Sequence, residues 1–379
     1  MRVLRRAAIG AVAVSSVAGC LVIATALGAA AQPSSATPFL NHFHRIKTVA
    51  STVPGNGDVN PYGVAVVRRS TGRLRAGDVL VSNFNNRKNQ QGTGSTIVEI
   101  SPRGAVTRFA RINPSTVAVP CPGGMGLTTA LVVLRSGWVI VGSLPTVAGN
   151  VNTASSGCLI VLDSRGHVRE SFSGRGINGP WDMTALNGPN FADLFVTNVL
   201  NGTVKAGGKV VHRGTVLRLA LRLRGSRPPL LARVTKIGSG FAERTDPAAL
   251  VVGPTGVGLS HGTLYVADTV NSRIQGIPFA VSRRFSAGTG FNLTRRGALN
   301  GPLGLTIAPG GDILTVNAGN GKIVETTPRG LQVAVKTLNS TPTPPGQPGN
   351  GALFGLAIKP HFGGVYFVDD DMNTLRLLH

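Results

Sequence analysis

The sequence predicts an all-β protein with one large core, and three observations support this. The 379 residues include 51 Gly and 24 Pro, which break helix interiors and mark turns. Hydrophobic residues make up 42% of the chain, enough to fill the core of a large domain. Short apolar runs bounded by Gly, Asn or Asp recur along the chain. A period of 3.6 residues is absent, which excludes a helical solenoid.

The first 31 residues resemble an export signal. Three arginines among the first six residues precede an uncharged apolar run, residues 7–31, which closes on three alanines. This pattern predicts a Sec-type signal peptide over 1–31 and a secreted or periplasmic protein. A membrane anchor is the alternative, because the apolar run is long enough to span a bilayer. Cys20 leaves a lipoprotein as a third option.

One sequence motif occurs six times in the rest of the chain. A Gly with apolar neighbours opens a short strand, a turn follows, and a second strand ends in Asn, Asp or Ser. The copies recur about every 58 residues, an interval typical of four-stranded blades. The sequence therefore predicts a six-bladed β-propeller over residues 32–379. Its blades begin near Asn60, Cys121, Ile177, Leu250, Leu299 and Asn350.

The two ends of the chain predict how the ring closes. The last copy stops at His379 before an outer strand, and residues 45–50 form a strand that no copy uses. We expect this N-terminal strand to complete the sixth blade, because closure ties the termini together and removes an open sheet edge.

Blade four carries the most specific stretch. Its residues 264–274, LYVADTVNSRI, resemble the NHL-repeat signature. The chain is similar over nearly all of its mature length to secreted bacterial NHL propellers, which implies the six-bladed fold. Propellers serve both as binding modules and as enzymes, so the function must be argued from the site.

The connections between the second and third strands of the blades are unequal. They take 14 to 17 residues in blades one to three, but five or six in blades four to six. Long loops on a rigid scaffold often carry function. We therefore predict a ligand pocket on the face where these loops emerge. Neutral variation of surface loops is the alternative.

Two cysteines fall on the same predicted face. Cys121 precedes the inner strand of blade two, and Cys158 begins its third strand. In an oxidising compartment this pair predicts a disulfide beside the long loop of that blade. Free thiols are the alternative, since the sequence does not give the distance between the two Cα atoms.

Departures from the repeat are the better candidates for a ligand site. Trp181 and Asp182 stand where other copies have a small or apolar residue and Gly. Tyr62 and Phe354 also begin inner strands near the axis, and Asn300 precedes another. We predict these five residues to bind a ligand, as an aromatic rim with one carboxylate. Packing of the rings between blades is the alternative.

The chain also shows a distant similarity to calcium-dependent propeller lactonases and to propeller lyases. That resemblance implies Ca²⁺ held by a Glu at the start of an inner strand, together with Asn and Asp from other blades. Here Asn178 stands where the Glu is expected, and Asp182 follows it. These two residues are the predicted metal ligands and Ca²⁺ the one cofactor considered. No catalytic residue is assigned.

The charge of the chain predicts an acidic partner. The formal net charge is +23, and residues 204–236 hold nine Lys and Arg and no acid. Within them Arg218, Arg222 and Arg224 alternate with apolar residues, so one strand face is predicted to bind a polyanion. A solvated surface is the alternative.

These observations favour a monomeric binding or interaction module over an enzyme. The expected partner is an envelope component, a polyanion or a small molecule outside the cytoplasm. Nucleic acid is not expected, nor is a membrane span once the signal is cleaved. The alternative is a hydrolase or lyase resembling the lactonases, with its reaction in the central channel.

Overall fold

The computed structural model describes residues 37–112 and 121–379, which form six antiparallel sheets of a β-propeller. The predicted signal peptide, residues 1–31, lies outside these ranges. Helices in the described ranges are single 3₁₀ turns at Phe39–His42, Val151–Thr153, Thr269–Asn271 and Pro360–Phe362. Within the same ranges no helix is long and apolar enough to cross a membrane.

Each blade has strands A to D from the axis outward, and one strand is out of sequence. Strand β1 (Ile46–Ser51) comes first in the chain but belongs to blade six. The blades one to three contain β2 (Val59–Val66), β3 (Val79–Asn85), β4 (Thr96–Ile100) and β5 (Val106–Arg111); β6 (Leu127–Val133), β7 (Val139–Ser143), β8 (Cys158–Leu162) and β9 (Val168–Phe172); and β10 (Pro180–Asn187), β11 (Phe191–Asn198), β12 (Val211–Arg224), β13 (Arg227–Asp246) and β14 (Leu250–Val252).

Blades four to six follow the same plan with shorter loops. Their strands are β15 (Pro254–Ser260), β16 (Thr263–Asp268), β17 (Arg273–Ile277) and β18 (Phe291–Arg295); β19 (Pro302–Ile307), β20 (Ile313–Asn317), β21 (Lys322–Thr326) and β22 (Gln332–Thr337); and β23 (Leu353–Ile358), β24 (Val365–Asp369) and β25 (Thr374–Leu378). Strand β14 adds a fifth strand to the sheet of blade three.

The apolar runs of the sequence are the second and third strands of the blades. Strands β3, β7 and β20 are buried along their whole length, because both faces of each sheet pack against a neighbouring blade. The core is thus a series of apolar layers between blades, and the sequence shows continuous apolar runs instead of alternation.

The ring closes as predicted. Strand β1 pairs antiparallel with β25, with Ile46 opposite Leu378. The backbone of His379 continues this pairing, since its N–H donates to the Arg45 carbonyl at 2.8 Å and its carbonyl accepts from the Arg45 amide at 2.9 Å. The N-terminal strand therefore supplies the outer strand of blade six.

The predicted disulfide is present. Cys121 and Cys158 are bonded, with their Cα atoms 5.4 Å apart. The bond joins the connection that enters blade two to the first residue of its third strand. It fixes one end of the long B–C loop, residues 144–157.

The strand order gives the propeller two different faces. The A–B and C–D connections emerge on one of them, named here the turn face. It comprises residues 67–78, 101–105, 134–138, 163–167, 188–190, 225–226, 261–262, 278–290, 308–312, 327–331 and 359–364. The B–C and D–A connections form the opposite face, named the loop face, which includes the long loops 86–95, 144–157 and 199–210.

The recurring Gly of the inner strands has a steric cause. A Cβ on Gly304 would collide with the carbonyl oxygen of Phe354, and a Cβ on Gly355 with that of Tyr62. Inner strands of successive blades therefore approach too closely at this level for a side chain that points at the neighbour.

Blade two departs from the register assumed from its sequence. Leu127 pairs with Ser143 as Pro61 pairs with Asn83, but three residues and not two separate it from Leu131, the counterpart of Val64. A Cβ on Gly63 would meet the Thr129 carbonyl, as one on Gly355 would meet that of Tyr62, so Thr129 matches Tyr62 and Ala130 takes the place of Gly63. The glycines of residues 123–126 belong to the connection before the strand.

Candidate functional site: an axial cavity with one carboxyl

Aromatic rings fill the axis at the loop face. The ring of Tyr62 stacks on Phe354 with centroids 4.0 Å apart and on Phe84 at 4.5 Å, and it meets Trp181 at 5.8 Å. All four side chains are at most 3% exposed. The void found between Tyr62, Phe84 and Trp181 has a volume of only about 10 Å³, too little for an organic ligand. These four residues are named the aromatic plug.

A segment of blade three covers the aromatic plug. Leu250 and Val251 are fully buried in the same apolar cluster as the rings. The indole N–H of Trp181 donates to the Val251 carbonyl at 2.9 Å. From the long loop of blade one, the Gln91 amide donates to the carbonyls of Pro247 and Ala248 at 2.8 and 3.0 Å. The loop and the segment therefore hold each other across the top of the channel.

The described residues of the loop face thus do not form the predicted ligand pocket. Tyr62, Trp181 and Phe354 were expected to contact a ligand, but they are core residues, and interblade packing was the correct alternative. Asn300 lies apart from them in a D–A connection, where its amide reaches Gln347 at 3.5 Å. Of the five predicted ligand residues, the structure places Asp182 alone on the wall of the large cavity.

That cavity lies at the other end of the axis. It has a volume of about 1020 Å³ and opens on the turn face. Its walls are the second halves of the inner strands of all six blades. Most of the lining is aliphatic, including Val66, Val133, Leu259, Ile307 and Ile358. A cavity of this size and composition is typical of sites for drug-sized ligands.

Asp182 lies on the cavity wall between these apolar strands. It occupies the level held by Gly63, Gly256, Gly304 and Gly355 in other blades. One carboxylate oxygen accepts from the Met183 amide at 2.8 Å and the other from the Val257 amide at 3.2 Å. Burial raises the pKa of Asp182 to about 8, against the smaller lowering effect of these two bonds. The carboxyl is therefore mainly protonated at neutral pH and acts as a hydrogen-bond donor.

A second polar group lies on the neighbouring strand, one residue nearer the loop face. Thr129 of blade two lines the cavity and is 3% exposed. Its hydroxyl has no hydrogen-bond partner among the residues the structure describes. The hydroxyl is itself buried, so it is not presented to the cavity. Asp182 is the one carboxyl among the described lining residues, and Thr184, Asn187 and Thr306 add further polar groups to a mainly apolar wall.

Cations and an aromatic ring surround the mouth of the cavity. Arg68 and Lys359 come from the A–B connections of blades one and six, beside His361 and Phe362. The Phe362 side chain is 61% exposed. The mouth is therefore basic and the interior apolar.

The residues present do not fit a calcium site. The side-chain amide of Asn178 donates to Asn201 at 2.7 Å, and Asn201 in turn bonds to Glu243, which is fully buried beside Gly253. Asp182 shares none of these partners and faces the cavity instead. The described ranges contain no group of three or more His, Cys, Asp or Glu residues arranged to hold a metal. Asn178 and Asp182 share no partner among the described residues, and their pairing as metal ligands stays a prediction.

The three arginines predicted to bind a polyanion differ in their exposure in the structure. Arg218 is only 9% exposed, and its guanidinium donates to the carbonyls of Ala280 and Val281 in blade four. Arg222 and Arg224 are exposed on the same strand. Arg218 is thus a contact between blades, and the prediction that it binds a polyanion was wrong.

No family model matches the sequence, and no curated protein does. Solved structures do match. A gluconolactonase from Xanthomonas campestris has a TM-score of 0.53 at 12% identity, over 88% of this chain and 88% of that one. A luciferin-regenerating enzyme gives 0.54 at 11% identity over 88% and 94%. Regucalcin from Agrobacterium tumefaciens, a calcium-binding protein, gives 0.53 at 13% identity over 86% and 92%. At these identities the likeness concerns the fold alone.

Proposed function

We propose that this protein is a binding module for a small amphiphilic molecule, which it holds in the axial cavity. The observation that carries the proposal is the pairing of a mainly apolar chamber of about 1020 Å³ with one carboxyl on its wall, that of Asp182, whose pKa burial raises to about 8. The expected export signal would place the ligand outside the cytoplasm. We also propose that the chain is a propeller of the NHL type.

The lining defines the chemistry of the ligand. Its body is apolar, because burial against aliphatic walls contributes roughly 25 cal/mol per Å². It carries a hydrogen-bond acceptor, such as a carbonyl or ether oxygen, for the Asp182 carboxyl. Its other end is anionic and lies between Arg68 and Lys359 at the mouth. A medium-chain keto acid or an acylated metabolite has this character.

The alternative is a calcium-dependent hydrolase of the lactonase kind. It would need a divalent ion bound through Asp182 together with turnover of a lactone. The geometry gives it less support, because Asn178 is engaged with Asn201 and the loop-face end of the axis is filled by the aromatic plug.

Isothermal titration calorimetry with 9-oxodecanoate, which carries a carbonyl at the end opposite its carboxylate, tests the binding proposal. The variant Ala185→Trp places an indole on the cavity wall, while Val147→Trp adds the same ring at a 69% exposed position on the loop face. We expect saturable binding by the wild type and by Val147→Trp, and at least a tenfold loss in Ala185→Trp. Equal affinities in the two folded variants would place the ligand elsewhere. Asp182-dependent calcium heat together with lactone turnover would favour the hydrolase.

A further inference from the structure

We infer that the turn face docks on an anionic lipid bilayer, so that the mouth of the axial cavity opens onto the membrane. The inference depends on the charges and exposed rings of that face and not on what fills the cavity. It therefore goes beyond the proposed function and can fail independently of it.

The first observation is the charge of the turn face. Its connections hold eleven Lys and Arg against three Asp, whereas the described connections of the loop face hold six against three. Nine of the eleven cations are exposed. The eleven are Arg68, Arg69, Arg73, Arg75, Arg103, Arg135, Arg165, Arg283, Arg284, Arg329 and Lys359, and the acids are Asp78, Asp163 and Asp312.

The second observation is the position of the exposed rings. Five phenylalanines in the described ranges are exposed, and each lies in or directly after an A–B or C–D connection. Phe279 and Phe285 are 73% and 80% exposed in the connection 278–290. In the described part of the loop face the exposed large apolar residues are aliphatic. The other three phenylalanines are Phe191, Phe291 and Phe362.

Two of these rings are presented by an unfavourable backbone. Phe279 and Phe362 have φ angles of 54° and 57°, a region that bulky residues rarely adopt. Such a conformation is strained, and exposed rings recover little of that strain energy through packing. Contact with an apolar phase outside the chain would give both rings a role.

The combination of groups distinguishes a bilayer from other polyanions. A soluble polysaccharide or nucleic acid is matched by cations, but the exposed phenylalanines of the turn face gain nothing from it. A bilayer surface offers anionic headgroups for the arginines and acyl chains just below for the rings. The cations and exposed rings of the turn face, with Arg68, Lys359 and Phe362 at the mouth of the cavity, are complementary to that layered chemistry.

Vesicle sedimentation tests whether the cations of the turn face bind anionic lipid. The probe is vesicles of phosphatidylglycerol and phosphatidylcholine in equal parts, with phosphatidylcholine alone as reference. Arg69, Arg284 and Arg329 are exposed and do not line the cavity, and together they are changed to Gln. The matched control changes Lys88, Lys205 and Lys209 of the loop face to Gln. Each surface cation contributes roughly a fivefold factor, so we expect about a hundredfold weaker binding for the first triple variant.

Tryptophan fluorescence tests the orientation, even if the N-terminal apolar segment also binds lipid. Both native tryptophans, Trp138 and Trp181, are at most 4% exposed. We expect the tryptophan emission of Phe279→Trp to shift to the blue on the anionic vesicles and to be quenched by brominated acyl chains. The emission of Val147→Trp, on the loop face, should show neither change. Similar responses of the two reporters, or equal losses in the two triple variants, would overturn docking through the turn face.

The cavity variant Ala185→Trp distinguishes ligand binding in the cavity from docking of the turn face on a bilayer. Ala185→Trp should bind vesicles as the wild type does, because the cavity wall is not part of the docking surface. Binding of soluble heparin with the affinity found for the anionic vesicles would show a general polyanion surface and would overturn the bilayer as the partner.

Discussion

The rings of Tyr62 and Phe354 stack with centroids 4.0 Å apart and join the first and last blades at the axis. The Tyr62 hydroxyl is buried here, and no hydrogen-bond partner for it lies within the described ranges. Burial raises the pKa of Tyr62 well above its usual value, so the phenol stays neutral. The plug is therefore held by ring packing, with one polar atom that contributes nothing to it.

Tyr62→Phe should stabilise the protein. The change removes a buried hydroxyl without a partner and keeps the ring, and such a group costs about 1–3 kcal/mol. We expect the free energy of unfolding in urea to rise by about 1 kcal/mol. Tyr265→Phe is the control, because that ring is also buried but its hydroxyl is not among the unpartnered buried atoms. A loss of stability in Tyr62→Phe would mean that the hydroxyl has a partner in solution.

Asp182→Asn should change how stability depends on pH. The pKa of Asp182 is raised from 3.8 to about 8 on folding, so between these values the folded protein binds a proton that the unfolded chain has released. The contribution of Asp182 to the free energy of unfolding is therefore largest below about pH 4 and decreases as the pH rises towards 8. Asn mimics the protonated acid, so the variant avoids the loss.

Thermal unfolding between pH 4 and 9 measures this effect. Near pH 4 the variant should have a lower midpoint than the wild type, because Asn keeps one acceptor oxygen for the two backbone amides that bind Asp182. With rising pH, the free energy of unfolding of the variant should increase relative to that of the wild type, by at most about 1.4 kcal/mol per pH unit. This difference should level off above pH 8. Parallel curves over the whole range would show that the carboxyl ionises normally in the cavity.

The blade count and ring closure could be predicted because packing imposes them on the sequence locally. Gly304 and Gly355 recur where inner strands nearly touch, and the buried strands repeat as apolar runs. Asp182 was recognisable for the same reason, as a carboxyl in a place where other blades have Gly. A departure from a sterically enforced position is a signal that a single sequence can carry.

The end of the channel that stays open could not be predicted. Both halves of each inner strand are apolar, and no local pattern shows that Tyr62, Trp181 and Phe354 converge at the axis. The cover by Leu250 and Val251 depends on a strand pairing in blade three that has no counterpart in the other copies. Arg218 was misjudged for a similar reason, since the covering residues lie more than sixty positions away.

Loss of the Cys121–Cys158 disulfide should destabilise the propeller. The bond closes a loop over a sequence separation of 37 residues, and chain entropy gives about 4 kcal/mol for a loop of that length. We expect the double variant Cys121→Ala and Cys158→Ala to unfold at lower urea concentration. Wild type unfolded in the presence of a reductant should approach the same midpoint. An unchanged midpoint in both cases would show that the bond does not form in solution.

Glu325→Gln should loosen the N-terminal segment. The Glu325 carboxylate accepts from the amides of Phe39 and Leu40 at 2.7 and 2.8 Å, and Leu40 is fully buried beside it. Gln keeps one acceptor oxygen and places an NH₂ group against the second amide, so one buried donor loses its bond. The expected cost is about 1–3 kcal/mol.

Because residues 39–43 lead directly into β1, this cost should appear at the closure of the ring. Hydrogen exchange should become faster in β1 and β25 of Glu325→Gln, while β7 in blade two stays protected. Glu170→Gln, on the outer strand of blade two, is the matched control and should leave the exchange of β1 unchanged. Uniform acceleration over all blades would show that the segment and the propeller unfold as one unit, and that Glu325 stabilises the whole ring and not its closure.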